Sequence, residues 1–202
     1  MPKLKTMVSY ETTFATYTVD EQIGEGGAGR VFGGVSPDGI RIALKLLASE
    51  RASADKRARF KNEIAFLLAN KHPNIVTVID HGLSKAGESR VSFYVMPRFD
   101  GSLRAMIKKH IAPNDVLPLF SQMIDGVEAA HLKGVVHRDL KPENILCAGK
   151  TLAVADFGIA RFTEDFLVTL VKTGPSDRLA NFLYAAPEQR VSGGSITATA
   201  DI

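Results

Sequence analysis

The stretch His137-Arg138-Asp139-Leu140-Lys141-Pro142-Glu143-Asn144 carries the strongest functional signal in the sequence. Short apolar runs flank it, Val135-Val136 before and Ile145-Leu146 after, and they predict two strand pieces joined by a polar loop. Asp156-Phe157-Gly158 and Ala186-Pro187-Glu188 follow further along the chain. A single tripeptide of this kind occurs by chance in many proteins, so its meaning depends on the segments that precede it.

A glycine-rich stretch, Gly24-Glu25-Gly26-Gly27-Ala28-Gly29, lies upstream and has the pattern G-x-G-x-x-G. A dinucleotide site requires a helix directly after the last glycine, but a strand-like run and a turn follow here. A Walker loop requires lysine and then serine or threonine at that point, where Arg30-Val31 stand instead. Two interpretations remain, a flexible hairpin whose backbone amides approach phosphate oxygens and a plain glycine-rich turn.

A lysine among apolar residues, Lys45 of Ala43-Leu44-Lys45, lies in the next predicted strand. A lysine in such surroundings requires a carboxylate partner and is suited to an anionic ligand. Glu63, beside the apolar stripe of a predicted helix, is the candidate partner. An exposed lysine and an exposed glutamate remain the alternative, because the sequence alone does not show that the two side chains meet.

The first half of the chain has the pattern of an antiparallel sheet with one helix. Apolar residues tend to alternate over 14–47, where Ser36-Pro37-Asp38-Gly39 predicts the tight turn of a β-hairpin. Helical spacing then predicts a helix over 53–70. Its buried face is predicted to consist of Phe60, Ile64, Leu67 and Leu68. Two further apolar stretches, 75–79 and 91–96, are predicted to be the remaining strands.

Helical patterns dominate the second half of the chain. They predict a short helix over 102–110 and a longer one over 115–132, which Gly134 would cap. The buried face of the longer helix is predicted to consist of Phe120, Met123, Ile124 and Val127. Leu152-Ala153-Val154-Ala155 predicts another strand piece, and 157–184 has no clean period, which predicts a long loop.

The composition is that of an ordinary globular chain. Of the 202 residues, 45% are hydrophobic and 23% charged, and 25 Lys and Arg against 22 Asp and Glu give a net charge of +3. This small surplus predicts no nucleic-acid partner. No apolar run approaches the ~18 residues of a membrane span, so we expect no membrane span and a cytoplasmic location. The single cysteine, Cys147, excludes an internal disulfide, and no metal-ligand spacing of His and Cys is present.

The glycine loop, the strand lysine, the His-Arg-Asp stretch, Asp-Phe-Gly and Ala-Pro-Glu, in this order, resemble the eukaryotic-type Ser/Thr protein kinase family, its bacterial members in particular. The resemblance runs from about residue 17 to residue 202. It implies an α+β fold, with an N-lobe of antiparallel sheet plus one helix and a mainly helical C-lobe. The implied domain organisation is an N-terminal extension over 1–16 and a kinase domain over 17–202, divided into N-lobe 17–96, hinge 97–100 and partial C-lobe 101–202.

The same resemblance implies ATP and Mg²⁺ as cofactors and assigns a role to each matching residue. Asp139 would orient the acceptor hydroxyl and take its proton, and Lys141 would steady the γ-phosphate. Asn144 and Asp156 would bind Mg²⁺ through hard oxygen ligands. The residues that would bind ATP are Ile23, Gly24, Glu25, Gly26, Gly27, Ala28, Gly29, Arg30, Val31, Ala43, Lys45, Glu63, Met96, Pro97, Phe99 and Leu146.

Several of these positions carry finer expectations. Lys141, two residues after Asp139, is the pattern of kinases that act on serine and threonine, so a protein with such acceptors is the expected partner. Adenine would use the carbonyl of Pro97 and the amide of Phe99, so proline is expected to be tolerated where the family usually has an acidic residue. Arg138 implies control by a phosphorylated residue of the following segment. The candidates are Thr169, Thr173 and Ser176.

The sequence given stops soon after Ala186-Pro187-Glu188, whereas the family's domain continues. Thr199-Ala200-Asp201-Ile202 resembles the opening of the large central C-lobe helix, whose aspartate tethers the catalytic loop. We therefore expect a truncated catalytic domain. Two functions follow from this expectation: a kinase that transfers the γ-phosphoryl group of ATP to protein serine or threonine, or a non-catalytic nucleotide- or partner-binding module that is inactive because C-lobe helices are missing.

Overall fold

The computed structural model describes residues 3–26, 29–47, 53–86, 89–157, 183–190 and 196–202. The chain divides into two compact units. Unit 1 comprises Met1–Lys71 and Val76–Phe99, and unit 2 comprises His72–Ile75 and Asp100–Ile202. Within the described residues, unit 1 is an antiparallel sheet with one α-helix, and unit 2 contains two α-helices and a small sheet, which is the expected α+β fold.

Six antiparallel strands form the sheet of unit 1, in the order β1-β2-β3-β4-β6-β5. Gly39 closes the predicted hairpin between β3 and β4, with a φ of +75° and its amide 2.9 Å from the Ser36 carbonyl oxygen. The first strand lies within residues 1–16 and pairs with the second. The strands are β1 (Lys3–Glu11), β2 (Thr16–Gly26), β3 (Gly29–Val35), β4 (Arg41–Leu47), β5 (Asp80–Ala86) and β6 (Ser89–Pro97).

The helix of unit 1, α1 (Ala54–Ala69), confirms the helix predicted over 53–70. Ser53 caps its first turn, because the Ser53 hydroxyl accepts a hydrogen bond of 3.2 Å from the Lys56 amide. The predicted apolar face is buried except at Leu68, which is exposed. The helix buries Phe60, Glu63, Ile64, Phe66 and Leu67.

The strand predicted over 75–79 is wrong, because the fifth strand begins only at Asp80. The segment is nevertheless buried at Ile75, Val76 and Val78. The apolar pattern therefore indicates burial here and not strand pairing. Only Ile75 makes a bridge there, to Val154, and both residues belong to unit 2. Burial without strand pairing produces the same alternation of residues as a ladder, so the sequence does not distinguish the two.

Unit 2 holds α2 (Leu103–Lys108), α3 (Pro113–His131) and a sheet of β7 (Gly101–Ser102), β8 (Ile145–Ala148) and β9 (Thr151–Val154). Both predicted helices and the strand pieces at 145–146 and 152–155 are therefore present. The piece predicted at Val135-Val136 is not a strand. No helix among the described residues is long and apolar enough to cross a membrane.

The buried face of α3 differs from the predicted one. Phe120 is 52% exposed and Ile124 is 46% exposed. The helix packs against β9 through a face centred on Gly126, where an added Cβ would overlap the carbonyl oxygen of Asn74. A count of apolar residues ignores glycine, so it misses the contribution of Gly126 to the buried face. The buried residues of α3 are Leu119, Gly126, Val127 and Ala130.

Candidate active site

Unit 1 contains a buried ion pair between Lys45 and Glu63. The Nζ of Lys45 lies 2.7 Å from Glu63 Oε1, and Lys45 is only 2% exposed. β4 carries the lysine and α1 carries the glutamate. A buried charge pair is tolerated only with good geometry and further hydrogen bonds, so its neighbours decide whether this pair is stable.

Tyr94 supplies one of those further hydrogen bonds. It lies opposite Lys45 in the register of β4 and β6, and its hydroxyl donates to Glu63 Oε1 at 3.0 Å. The ring centroids of Tyr94 and Phe60 lie 5.5 Å and 5.8 Å from Lys45 Nζ, within the range of cation–π attraction. No sequence pattern identifies Tyr94 as part of this cluster, because only the strand register shows that it faces Lys45.

The glycine-rich stretch forms the hairpin between β2 and β3. Gly26 pairs with Gly29 at its end, and Val31 pairs with Lys45 two residues further along β3. No larger residue fits at position 29 without a shift of the backbone, because an added Cβ would overlap the carbonyl oxygen of Leu46. Ile23, Gly24 and Glu25 lie in β2, and Arg30 follows Gly29 in β3. Gly27 and Ala28 lie outside the described residues.

The predicted adenine contacts of unit 1 lie near the end of β6. Ala43 pairs with Met96, and both side chains are buried. Pro97 is the last residue of β6, and Phe99 ends unit 1. Leu146 lies in β8 of unit 2, where it pairs with Ala153.

In unit 2, two neighbours hold the carboxylate of Asp139. Lys141 Nζ lies 2.9 Å and 3.1 Å from its two oxygens, and Asn144 Nδ2 donates to Oδ2 at 2.9 Å. The Asp139 side chain is 44% exposed, so a substrate hydroxyl can reach it. Asp139 is thus fixed in orientation and open to solvent, as a general base requires.

Asn144 has the orientation that a metal ligand needs. Its Nδ2 donates to the carbonyl oxygen of Asp139 at 2.8 Å as well as to the Asp139 carboxylate. Both partners are acceptors, so the amide nitrogen must face them and the amide oxygen Oδ1 faces away. The described residues contain no group of three His, Cys, Asp or Glu that could hold a metal. Mg²⁺ takes one or two carboxylates together with water and phosphate oxygens, so Asn144 and Asp156 suit it.

Glu143, in the same loop, forms an ion pair with Arg104 of α2. Arg104 Nε of α2 donates to Glu143 Oε1 at 2.7 Å. Partial burial would raise the pKa of the Glu143 carboxyl, but the Arg104 hydrogen bond and charge outweigh it and lower the pKa. The Glu143 carboxylate is therefore a weak proton acceptor.

Two residues of the site have left-handed backbone conformations. Arg138 has a φ of +69° and Asp156 a φ of +60°. Such conformations cost about 1–3 kcal/mol for a side chain other than glycine and persist only where surrounding contacts hold them. Arg138 directly precedes Asp139 in the chain. Asp156 is itself a predicted metal ligand.

Asp201 supplies the contacts that hold Arg138. Its oxygens accept hydrogen bonds of 2.7 Å from the amides of His137 and Arg138, and its side chain is fully buried. The Nε2 of His131 lies 2.8 Å from Oδ2. Asp201 therefore holds the loop that carries Asp139, as expected. His131 is a further partner of Asp201 that no sequence pattern predicted.

His137 links Asp139 to the segment before Asp156. Its Nδ1 accepts from the Asp139 amide at 3.3 Å, so Nε2 must carry the hydrogen that is donated to the Ala155 carbonyl at 2.9 Å. The ring packs against Phe157, with centroids 4.7 Å apart. Complete burial lowers the pKa of the imidazole below its ordinary value and keeps the ring neutral.

Burial of His137 predicts a loss of stability in acid. The unfolded chain protonates this imidazole below about pH 6.5, whereas the folded chain does so only at lower pH, because its pKa is lowered. The free energy of unfolding should therefore fall as the pH drops through that value, by up to about 1.4 kcal/mol per pH unit. Urea unfolding from about pH 5 to about pH 8 measures the slope, and His137→Asn should flatten it. An equal slope in the two proteins would contradict a neutral buried His137.

Several predicted residues lie outside the part of the chain that the structure describes. These are Gly27, Ala28, Gly158, Thr169, Thr173 and Ser176. The long loop predicted over 157–184 falls there as well, except at its ends. The expectations for these residues remain predictions.

The Protein kinase domain family matches residues 17–202. The chain is 32% identical over 193 residues to serine/threonine-protein kinase pkn2 of Myxococcus xanthus, which covers 92% of this chain and 23% of that protein. It is 36% identical to serine/threonine-protein kinase PknD of Mycobacterium tuberculosis, over 94% of this chain and 28% of the relative. It is 32% identical to the probable serine/threonine-protein kinase PknB of Lactococcus lactis, over 92% of this chain and 29% of that protein. The chain spans less than a third of the length of these relatives.

Proposed function

Because the chain belongs to the protein kinase family, we propose that it transfers the γ-phosphoryl group of ATP to serine or threonine side chains of a protein. The geometry around Asp139 carries the proposal. A solvent-accessible carboxylate is held by Lys141, which contacts both of its oxygens, and by Asn144, which donates to Oδ2. A base, a cation and an oxygen ligand thus lie in one short loop, and phosphoryl transfer asks a protein mainly for such positioning and charge stabilisation.

The proposed roles in unit 2 follow from this arrangement. Asp139 orients the acceptor hydroxyl and takes its proton, and Lys141 stabilises the charge on the transferred phosphoryl group. Asn144 Oδ1 and the Asp156 carboxylate are the proposed ligands of Mg²⁺, which supplies neutralisation of phosphate charge. The names of the relatives and the position of Lys141 support serine and threonine as acceptors.

In unit 1 the proposed role of Lys45 is to bind the nucleotide phosphates while Glu63 fixes its position. Backbone amides of the hairpin between β2 and β3 would approach the phosphates, because glycines leave that backbone uncovered. Val31, Ala43 and Met96 would contact the base. We propose the division into N-lobe 17–96, hinge 97–100 and C-lobe from 101 together with these roles.

The test is transfer of labelled phosphate from Mg-ATP to a generic protein substrate. We expect Asp139→Asn to lower the rate by about 100-fold, because the amide cannot accept the proton. Glu143→Gln is the matched control, a carboxylate changed to an amide in the same loop, and it should stay within about threefold of wild type because its ion pair is exposed.

Nucleotide binding is measured separately, so that binding and catalysis are distinguished. Mg-ATP at about 100 times its Kd should add about 2.7 kcal/mol to the free energy of unfolding. Equal transfer by wild type and Asp139→Asn would contradict the role of Asp139. Binding of Mg-ATP with no transfer by the wild-type chain would favour the non-catalytic nucleotide-binding module.

A further inference from the structure

The side chain of Arg98 reaches across the sheet of unit 1. Arg98 directly follows the last residue of β6, and its Nη2 lies 2.9 Å from Oε1 of Glu21 in β2. The strand order places β4 and β3 between these two residues. Neighbouring strands are ~4.8 Å apart, so the arginine must extend along the face of the sheet to make this pair.

Gly33 of β3 makes room for the pair. A Cβ added at Gly33 would overlap Nη1 of Arg98 and would lie 2.8 Å from Oε1 of Glu21. The ion pair therefore lies directly over the backbone of β3, in space that only a residue without a side chain leaves open to it. Any larger residue at this position would displace the arginine or the glutamate.

The ion pair lies on the sheet face that carries the proposed nucleotide contacts. Gly33 pairs with Ala43, and Ala43 pairs with Met96. Alternate residues of a strand share a face, so Lys45 and Ala43 lie on the same side of β4 as the space above Gly33. The Arg98–Glu21 pair is thus next to the residues proposed to contact the base.

We infer that Arg98, Glu21 and Gly33 form a clasp that holds residues 97–99 in position for recognition of the adenine base. The inference rests on the proposed function and on the expectation that adenine uses the carbonyl of Pro97 and the amide of Phe99. Pro97 has no amide hydrogen and so removes one backbone donor where β6 ends. The side chain of Arg98 supplies a tie to the sheet from the very next residue.

The clasp acts through preorganisation. Hydrogen bonds to the edge of a base select adenine over guanine only if the two backbone groups keep their spacing and direction. A segment fixed before binding also loses less conformational freedom on binding. Arg98 is therefore a positioning residue for nucleotide affinity and base selectivity.

The test compares the Kd of ATP with that of GTP by titration calorimetry. Arg98→Met keeps the aliphatic stem and removes the charge, and it should weaken ATP binding by about fivefold, the equivalent of ~1 kcal/mol for a half-exposed ion pair. GTP binding should change less, so the preference for ATP falls. Gly33→Ala keeps both charges but displaces them, and it should have the same effect.

Two further variants complete the design. The charge-swapped double variant Glu21→Arg/Arg98→Glu should restore the affinity and preference of wild type, because it rebuilds the pair. Arg41→Met is the matched control, since Arg41 is an exposed arginine of the same sheet, and it should bind both nucleotides as wild type does.

The outcomes separate the clasp from the proposed function. Unchanged ATP affinity and ATP preference in Arg98→Met, with normal binding by wild type, would overturn the clasp alone. Failure of the charge-swapped double variant to restore the loss seen in Arg98→Met would also overturn it. Absence of nucleotide binding by the wild-type protein would overturn the proposed function and the clasp together. Glu21→Gln provides the same comparison if Arg98→Met does not fold.

Discussion

Glu63→Leu should lower the free energy of unfolding by about 3–5 kcal/mol, because it leaves the Lys45 ammonium buried without the carboxylate that lies 2.7 Å away. The hydroxyl of Tyr94 loses its acceptor in the same change. Urea unfolding measures the loss. Lys61→Met is the control, since Lys61 is an exposed residue of α1, and it should stay within about 0.5 kcal/mol of wild type.

The triple variant Lys45→Met/Glu63→Leu/Tyr94→Phe should recover most of this stability. It replaces the ion pair and the hydroxyl by apolar groups of similar size, and buried pairs are often replaced in this way without loss. Mg-ATP should nevertheless fail to stabilise the triple variant, because the proposed phosphate ligand is gone. The expected result separates the two roles of Lys45: the fold tolerates an apolar residue at this position, whereas the function requires the charge.

Two results would contradict this interpretation. If the triple variant is as unstable as Glu63→Leu, the fold itself depends on the charge pair. If the triple variant is stabilised by Mg-ATP as much as wild type is, Lys45 does not bind the nucleotide phosphates. A thermal unfolding series with and without Mg-ATP provides both comparisons on the same samples.

Local sequence patterns predicted which segments form helices and turns better than they predicted which residues of those segments are in contact. The turn at Ser36-Pro37-Asp38-Gly39 and the helices α1 and α3 follow from residue type and spacing, which are local properties. The strand predicted over 75–79 failed because buried apolar residues alternate there without a ladder. The predicted buried face of α3 was wrong at Phe120 and Ile124, and it omitted Gly126, which is buried but has no side chain for a hydrophobic count to detect.

The site shows the same division. The sequence named Lys45 and Glu63 separately, and the structure brings them together with Tyr94, which only the strand register identifies. Arg98 and Glu21 are far apart in the sequence, and two strands, β3 and β4, lie between β2 and β6 in the sheet. No rule based on residue spacing therefore predicts that they pair. Lys141 and Asn144 lie within hydrogen-bond distance of Asp139 because the three residues belong to one loop, and the chain itself keeps them close.

Asp201→Ala should disorder the loop that carries Asp139. The Asp201 carboxylate is the acceptor for the amides of His137 and Arg138, and a buried amide that loses its acceptor costs about 1–3 kcal/mol. We therefore expect a loss of about 3 kcal/mol in the stability of the loop. Hydrogen exchange of these two amides in the native protein measures it directly, because their protection depends on this carboxylate.

Arg138 makes the effect on activity larger than the loss of two hydrogen bonds suggests. Its left-handed conformation, with a φ of +69°, is held partly by the bond from its amide to Asp201 Oδ1. Without that bond the backbone can relax, and Asp139, the next residue, moves with it. Since misplacement by about 1 Å can cost about 100-fold in rate, phosphoryl transfer should fall by about that factor.

Asp201→Asn and Thr199→Ala provide the comparison that makes the result specific. An amide offers one acceptor oxygen where the carboxylate offers two, so Asp201→Asn can satisfy only one of the two amides and should lose protection at the other. Thr199 lies on the same short helical turn but is exposed, and its hydroxyl bonds only to Thr197 among the described residues, so Thr199→Ala should leave both amides protected. Equal protection of the His137 and Arg138 amides in wild type and Asp201→Ala would show that the loop holds its own conformation, and the tether would then have no part in positioning Asp139.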